Sequence, residues 1–315
     1  CYGKGERITV TDANLLLGRL DPNYFLGGRM NLDVERAERA MERFAKAVGL
    51  PPLEVAEGIV KIANATMEKA IRVISVERGF DPREFCLVSF GGAGGLHAFD
   101  LVKSLSIPQV LVPLNAGLLS AYGMLVSDVV KDYSQSILVP SKEAPFERLK
   151  VLFRPLKERG LHEMLEEGIP EERISCSFFL DMRYIGQSYE ITVPFEREYI
   201  ARFHALHRQG YGYAKTEKET EIVNLRLRVV GEVEKPVLPD VEKGKVSASS
   251  ALLGEKRVFY EGRWLQAKLY DRKILKANNV ISGPAIIVEA SATTFVPPDG
   301  RCRVDRFGNL LLSRV

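Results

Sequence analysis

The run Phe85–Phe90 (Phe-Cys-Leu-Val-Ser-Phe), followed at once by Gly91-Gly92-Ala93-Gly94-Gly95, limits the possible folds more than any other stretch of this chain. Six nearly continuous apolar residues without alternation predict a strand of a parallel sheet, buried on both faces, with Leu87 and Val88 in the core between helices. The glycines then predict a tight turn into a helix that runs to about Leu105. Pro108 breaks the chain. Gln109–Val112 reads as a second buried strand and Gly117–Asp128 as a helix.

Three helical patterns precede this block. Asp12–Leu20 is short, with Thr11 or Asp12 as its cap. Asp33–Val48 ends at Gly49 and Pro51-Pro52. Leu53–Arg78 carries Val55, Ile59, Ile62, Ala63, Met67, Ala70, Ile71 and Ile74 at helical spacing and stops at Gly79. Helices and strands in this order predict an α/β layer with a parallel component.

The pattern changes after about Asp132. Phe146–Glu167 is a charged amphipathic helix, Ile174–Val193 alternates in two strand-like halves around Gly186, Ile200–Gln209 is a helix, and Ile222–Val230 alternates as a strand. Beyond 235, short strands are split by Gly, Pro and Asn. We therefore expect one domain over 1–134 and a second, α+β region over 135–315 that is mostly β after 235.

At 315 residues with 46% hydrophobic and 27% charged residues, the chain is long enough for two packed domains and has the composition of a soluble globular protein. A net charge of +3 gives no electrostatic footprint for nucleic acid. The most apolar stretch, Val110–Val126, contains Pro113, Asn115, Gly117 and Gly123, so it predicts strand, turn and helix and no membrane span. Cys1, Cys86, Cys176 and Cys302 form no metal-type pair and read as reduced thiols of a cytoplasmic protein.

The glycine block matches neither common nucleotide fingerprint. A GxGxxG starting at Gly92 would need glycine where His97 stands, and no GxxxxGK[ST] occurs. Two readings stay open for Gly91–Gly95: a backbone cradle that lets a ligand approach, or a strand-to-helix turn with no ligand. His97, on the first helical turn, either touches that ligand or packs locally. His204 and His207 lie three apart on a helix, without further nearby ligands that would make a metal site. No GxSxG elbow is present.

Several segments together resemble the hydantoinase A/5-oxoprolinase family over essentially the whole chain. They are Cys-Tyr-Gly-Lys-Gly (1–5) leading to Thr-Asp-Ala-Asn-Leu-Leu-Leu-Gly-Arg-Leu (11–20), Val-Glu-Arg-Gly-Phe-Asp-Pro-Arg (76–83), Phe-Gly-Gly-Ala-Gly-Gly-Leu-His-Ala (90–98) and Pro-Leu-Asn-Ala-Gly-Leu-Leu-Ser-Ala-Tyr-Gly-Met-Leu-Val-Ser-Asp (113–128). Downstream come Asp-Met-Arg-Tyr-Ile-Gly-Gln-Ser-Tyr-Glu (181–190), Tyr-Gly-Tyr (211–213), Gly-Pro-Ala-Ile-Ile (283–287) and Thr-Thr-Phe-Val-Pro-Pro (293–298). The family often has Pro where Gly95 stands and Gln-like residues where Val288-Glu289 stand.

The resemblance implies an actin-like, ribonuclease H-like ATPase lobe ahead of the β-rich C-terminal region. It implies ATP and Mg²⁺ as cofactors, with Gly91, Gly92, Ala93, Gly94, Gly95 and His97 at the adenosine turn. It also implies phosphorylation of a cyclic amide carbonyl for hydrolysis, with a small cyclic amide as substrate. The family's phosphate loops lie upstream of the Cys-Tyr-Gly segment, so the expected partners are an N-terminal half of the same subunit and a hydantoinase B-type subunit. No nucleic acid and no membrane are expected. The rival expectation is a non-catalytic paralogue serving as an assembly module.

Overall fold

The structure, a computed structural model, describes all 315 residues. They form two compact units, one made of Cys1–Met124 together with Val237–Val315 and the other of Leu125–Pro236. The sequence reading places a border at 134/135 and a softer one near 235; the contacts within the chain divide it after Met124 and after Pro236.

The first unit opens with α1 (Val10–Leu16), α2 (Val34–Val48) and α3 (Pro52–Ile74). The cap of α1 is Thr9, earlier than the sequence suggested. Asp12 sits at the third helical position and closes a capping box, accepting from the Thr9 amide at 2.8 Å. Asp33 caps α2 by accepting from the Arg36 amide, and Gly49 ends it in the left-handed region. Met41 and Ala45, one turn apart on α2, bury against Ala13 of α1, Leu17 just after it, and Val55, Ala56 and Val60 of α3, while Ala37 joins a separate core with Leu15 and Leu96. The second half of α3 departs from the expected stripe, since Ile62 and Ile74 are exposed.

Next come β1 (Cys86–Val88), α4 (Gly94–Leu105), β2 (Gln109–Val112) and α5 (Leu119–Val126). β1 pairs with β2 in parallel, as expected. It is nevertheless a three-residue edge strand and no buried one. Val88 is 50% exposed, whereas Val110 on β2 is 0% exposed. Leu87 is only partly buried against the core. The expected cover on both faces is missing: Leu87 packs partly against the core, while Cys86 and Val88, which point to the other face, are exposed.

The second unit holds β3 (Val129–Pro140), α6 (Phe146–Glu166), β4 (Ile174–Tyr184), β5 (Ile191–Pro194), α7 (Tyr199–Tyr211) and β6 (Thr220–Gly231). Its sheet is antiparallel throughout, in the order β3-β6-β4-β5. Leu149 and Phe153 of α6 and Phe203 of α7 bury against Leu180, Met182 and Leu225 of the sheet. A Cβ on Gly160 would come within 2.7 Å of Val229 Cγ2, so α6 needs glycine where it crosses β6.

The chain then returns to the first unit with β7 (Leu252–Tyr260), β8 (Arg263–Asp271), β9 (Val280–Ser282), β10 (Ala285–Val288), β11 (Thr293–Val296), β12 (Gly300–Val304) and β13 (Leu310–Arg314). β13 lies antiparallel to β2, with Leu312 opposite Val110, and extends the sheet to β1-β2-β13-β12-β9. This pairing assigns the C-terminal stretch to the first unit. A second sheet runs β11-β10-β8-β7. β10 is buried at every position. Ala285 and Ile287 join the core with α4, while Ile286 and Val288 join the core with α1. The strand buried on both faces that the sequence placed at Phe85–Phe90 is therefore found here.

Candidate functional site

The five residues of the glycine turn have different tasks. Gly91 takes φ +88°, a conformation side chains resist, and its amide donates to the Ala116 carbonyl at 2.8 Å. Gly92 offers its carbonyl to the Thr293 amide at 3.1 Å, locking the turn to the start of β11. A Cβ on Gly94 would lie 2.9 Å from Ser89 Oγ, and one on Gly95 2.5 Å from Thr294 Oγ1. These last two glycines let α4 approach its neighbours.

A cavity of about 240 Å³ opens beside the turn. Gly92, Ala93 and His97 form one wall. Asn14 of α1 and the rings of Tyr24 and Phe25 form another, and residues 289–293, the loop between β10 and β11, close it. Gly91, Gly94 and Gly95 do not line it. The volume lies just below the roughly 300–1,000 Å³ of typical small-molecule sites. That suits a flat ring system with part of a sugar.

His97 is held from behind. Asn64 Nδ2 donates to Asp100 Oδ2 at 3.0 Å, which turns its Oδ1 toward His97 Nδ1 at 2.7 Å. Nδ1 therefore carries the proton, and Nε2 is left with its lone pair. Burial, helped by the Arg19 charge and opposed by Asp100, pushes the His97 pKa below the ordinary range. Arg19 is itself buried at 3% exposure, 3.5 Å from Asp100 Oδ2, with its guanidinium 4.8 Å from the Phe295 ring centre. Across the cavity, burial raises the Glu289 pKa. The Arg272 charge and the amides of Asn115 and Ala116 pull the other way.

Sequence reasoning missed Asn14, Tyr24, Phe25 and Glu289. Asn14 stood inside a family-like segment and Glu289 between two, but no local pattern gave either a role. His204 and His207 belong to an aromatic cluster of the second unit. Tyr184 lies 2.9 Å from His204 Nδ1, and His207 Nδ1 donates to the Tyr213 carbonyl at 2.7 Å. No three His, Cys, Asp or Glu side chains are grouped to hold a metal ion, so these residues do not fit a protein-built Mg²⁺ site. No helix is long and apolar enough to cross a membrane.

The hydantoinase/oxoprolinase family model matches residues 1–133, and the hydantoinase/oxoprolinase C-terminal domain matches residues 140–314. An uncharacterized protein of Methanocaldococcus jannaschii is 38% identical over 100% of this chain and 46% of its own length. The caprolactamase alpha subunit of Pseudomonas jessenii is 31% identical over 97% of this chain and 46% of its own. A crystal structure of the ATP-dependent caprolactamase from that organism superimposes with a TM-score of 0.78 at 30% identity, covering 100% of this chain and 48% of that one. Nucleotide-free acetone carboxylase, from work on ATP-dependent acetone carboxylation, shares the fold with a TM-score of 0.86 at 24% identity, again over 100% of this chain and 48% of that one. The chain spans about half the length of the curated relatives it matches.

Proposed function

The chain belongs to the hydantoinase/oxoprolinase family, and from that premise we propose that its first unit is the adenosine-binding part of an actin-like ATPase lobe. In this reading it works in a cytoplasmic ATP-dependent enzyme that hydrolyses a small cyclic amide. The observation that carries it is the cavity walled by Gly92, Ala93 and His97, the residues at which the family-like glycine block meets the β10–β11 loop. Bound ATP would supply the phosphoryl group that makes an amide carbonyl open to attack by water.

The chain's own residues hold the base and ribose. Gly92 lets the ring system lie against the backbone, Tyr24 and Phe25 offer aromatic surface, and His97 presents a neutral acceptor. No GxxxxGK[ST] cradle is present, and no Lys or Arg lines the cavity to meet a phosphate. We assign the phosphate side, with its Mg²⁺, to an N-terminal half of the same subunit, which works with a hydantoinase B-type partner.

Titration calorimetry with adenosine, AMP and ATP tests this. The wild-type chain should bind all three with similar, weak affinity and show no ATP turnover alone. In Gly92→Val the new Cβ comes 3.0 Å from the Ser291 carbonyl oxygen, and both residues line the cavity. Adenosine affinity should fall at least about tenfold. Equal affinity in wild type and variant would overturn the adenosine reading in favour of an assembly module.

A further inference from the structure

Two of the family-like segments, 181–190 and 211–213, have no part in the adenosine cavity. They meet within the second unit at a separate pocket of about 190 Å³. Gln187, Ser188 and Tyr189 come from the first segment, and Tyr211 and Tyr213 from the second. Gly212, at φ +79°, ends α7 between the two tyrosines. The chain turns there, and both rings reach His207, with centres 4.7 and 5.0 Å from its own.

His207 is 3% exposed and borders the pocket. Its Nδ1 donates to the Tyr213 carbonyl at 2.7 Å, so in the neutral ring Nε2 holds the lone pair. No group of the chain donates to Nε2. Nor is Nε2 one of the buried atoms left unpaired, so it has surface of its own, and the open space that His207 borders is this pocket. A side chain buried almost everywhere else thus keeps one free acceptor open to the pocket.

The walls define what fits. No Lys, Arg, Asp or Glu lines the pocket, so a charged ligand finds no counter-ion there. A cation held by the rings alone is disfavoured as well, because the Lys215 ammonium already stands 5.8 Å from the Tyr213 ring centre. Aromatic walls favour a flat ring. A cavity of about 150 Å³ is enough to hold benzene, so this pocket has room for one ring. Nε2 calls for an N–H on that ring. The Gln187 amide and the Ser188 hydroxyl, on the same pocket, supply donors for a carbonyl.

We propose that this pocket is a binding site for a small cyclic amide. Its N–H donates to His207 Nε2, its carbonyl accepts from Gln187 or Ser188, and its ring lies against Tyr211 and Tyr213. Neutral charge, a single ring, one N–H and one C=O are what the walls require. The choice of a lactam among rings of that kind rests on the proposed activity, while the pocket itself is separate from the adenosine cavity.

NMR of the 315-residue chain labelled with ¹⁵N-histidine tests the assignment. The probes are 2-pyrrolidinone and γ-butyrolactone, rings of the same size in which the N–H of the first is an ether-type oxygen in the second. 2-Pyrrolidinone should move the His207 Nε2 resonance saturably, and γ-butyrolactone should bind about tenfold more weakly, the loss expected for one hydrogen bond. His207→Asn keeps a donor for the Tyr213 carbonyl and removes Nε2, so it should erase that preference, with affinity read from the ligands' own signals. Tyr211→Ala removes a ring that is 56% exposed, which spares the fold. It should weaken both probes at least about threefold and keep the preference between them. Equal affinity for the two probes in wild type would overturn the assignment. So would 2-pyrrolidinone binding that leaves His207 Nε2 unmoved, wild-type affinities in Tyr211→Ala, or no binding of either probe. Each of these outcomes leaves the adenosine reading standing, because that reading turns on Gly92→Val, and a failure of nucleosides to bind leaves this pocket standing.

Discussion

The two units differ in how completely they satisfy themselves. Every buried side-chain oxygen and nitrogen of Leu125–Pro236 has a partner, while all the orphans lie in the other unit. Asp181, 2% exposed, is the clearest case of closure. Its carboxylate accepts from Thr192, Asn224 and Arg226 on the neighbouring strands. Tyr199 is closed in the same way by the Ser141 and Ala144 carbonyls. The first unit instead leaves buried polar atoms of Asn14, Arg19 and Arg272 unpaired and carries a run of exposed apolar residues, from Ile74 through Phe80, Phe85 and Val88 to Phe90. A unit with its buried polar groups closed needs no outside partner to fold. One with a cavity beside a glycine turn has room to receive something.

The strongest test of this contrast lies inside the first unit. Val110→Asp places an unpaired charge at a fully buried position of β2 and should cost about 4 kcal/mol or more, enough to unfold that unit. Val88→Asp, one strand away on the exposed edge, should cost less than about 1 kcal/mol. Thermal unfolding of both variants checks this. Equal destabilisation would mean that β1 is covered after all.

A smaller effect is expected from the closed unit. Asp181→Ala strips three donors of their shared acceptor and should destabilise Leu125–Pro236 by about 2–3 kcal/mol. Adenosine affinity should not change, because none of these groups touches the cavity. Chemical denaturation followed alongside calorimetry separates the two readouts, and a loss of affinity would show that the units are not functionally independent.

The smallest expected effect is a pH dependence. His97 has a lowered pKa in the fold, so its contribution to stability is intact above its unfolded value near 6.5 and is lost as pH falls from there toward the folded value. Between pH 7 and 5.5 the melting temperature of the first unit should fall. His97→Gln should flatten that slope. Glu289 works in the opposite sense: its raised pKa means that stability present at low pH is lost as pH rises through the folded value. An unchanged slope in His97→Gln would show that His97 is not held neutral from behind by Asn64.

Much of the fold was legible because it is local. Asp33 and Gly49 bracket α2 through their own hydrogen bond and backbone preference, and Gln109–Val112 is a strand with the bounds its pattern suggested. The glycine block was legible as a turn because few residues other than glycine take φ +88°. Periodicity failed where burial depends on distant partners. Phe85–Phe90 and Ala285–Val288 are both apolar runs without alternation, yet the first contains an edge strand and the second is buried on both faces. Nothing within either run says which strands will flank it.

The sequence by itself determined most of the helices, the Asp33 cap and Gly49 end of α2, the glycine turn and the family, because each rests on residue types at short spacing. Only the tertiary structure decided that 237–315 belongs with 1–124, since that follows from β13 pairing with β2. The same holds for the cavity, whose walls are gathered from opposite ends of the chain. Gly92, Ala93 and His97 become one wall of a candidate site only when folding brings Tyr24, Phe25 and residues 289–293 to the same cavity.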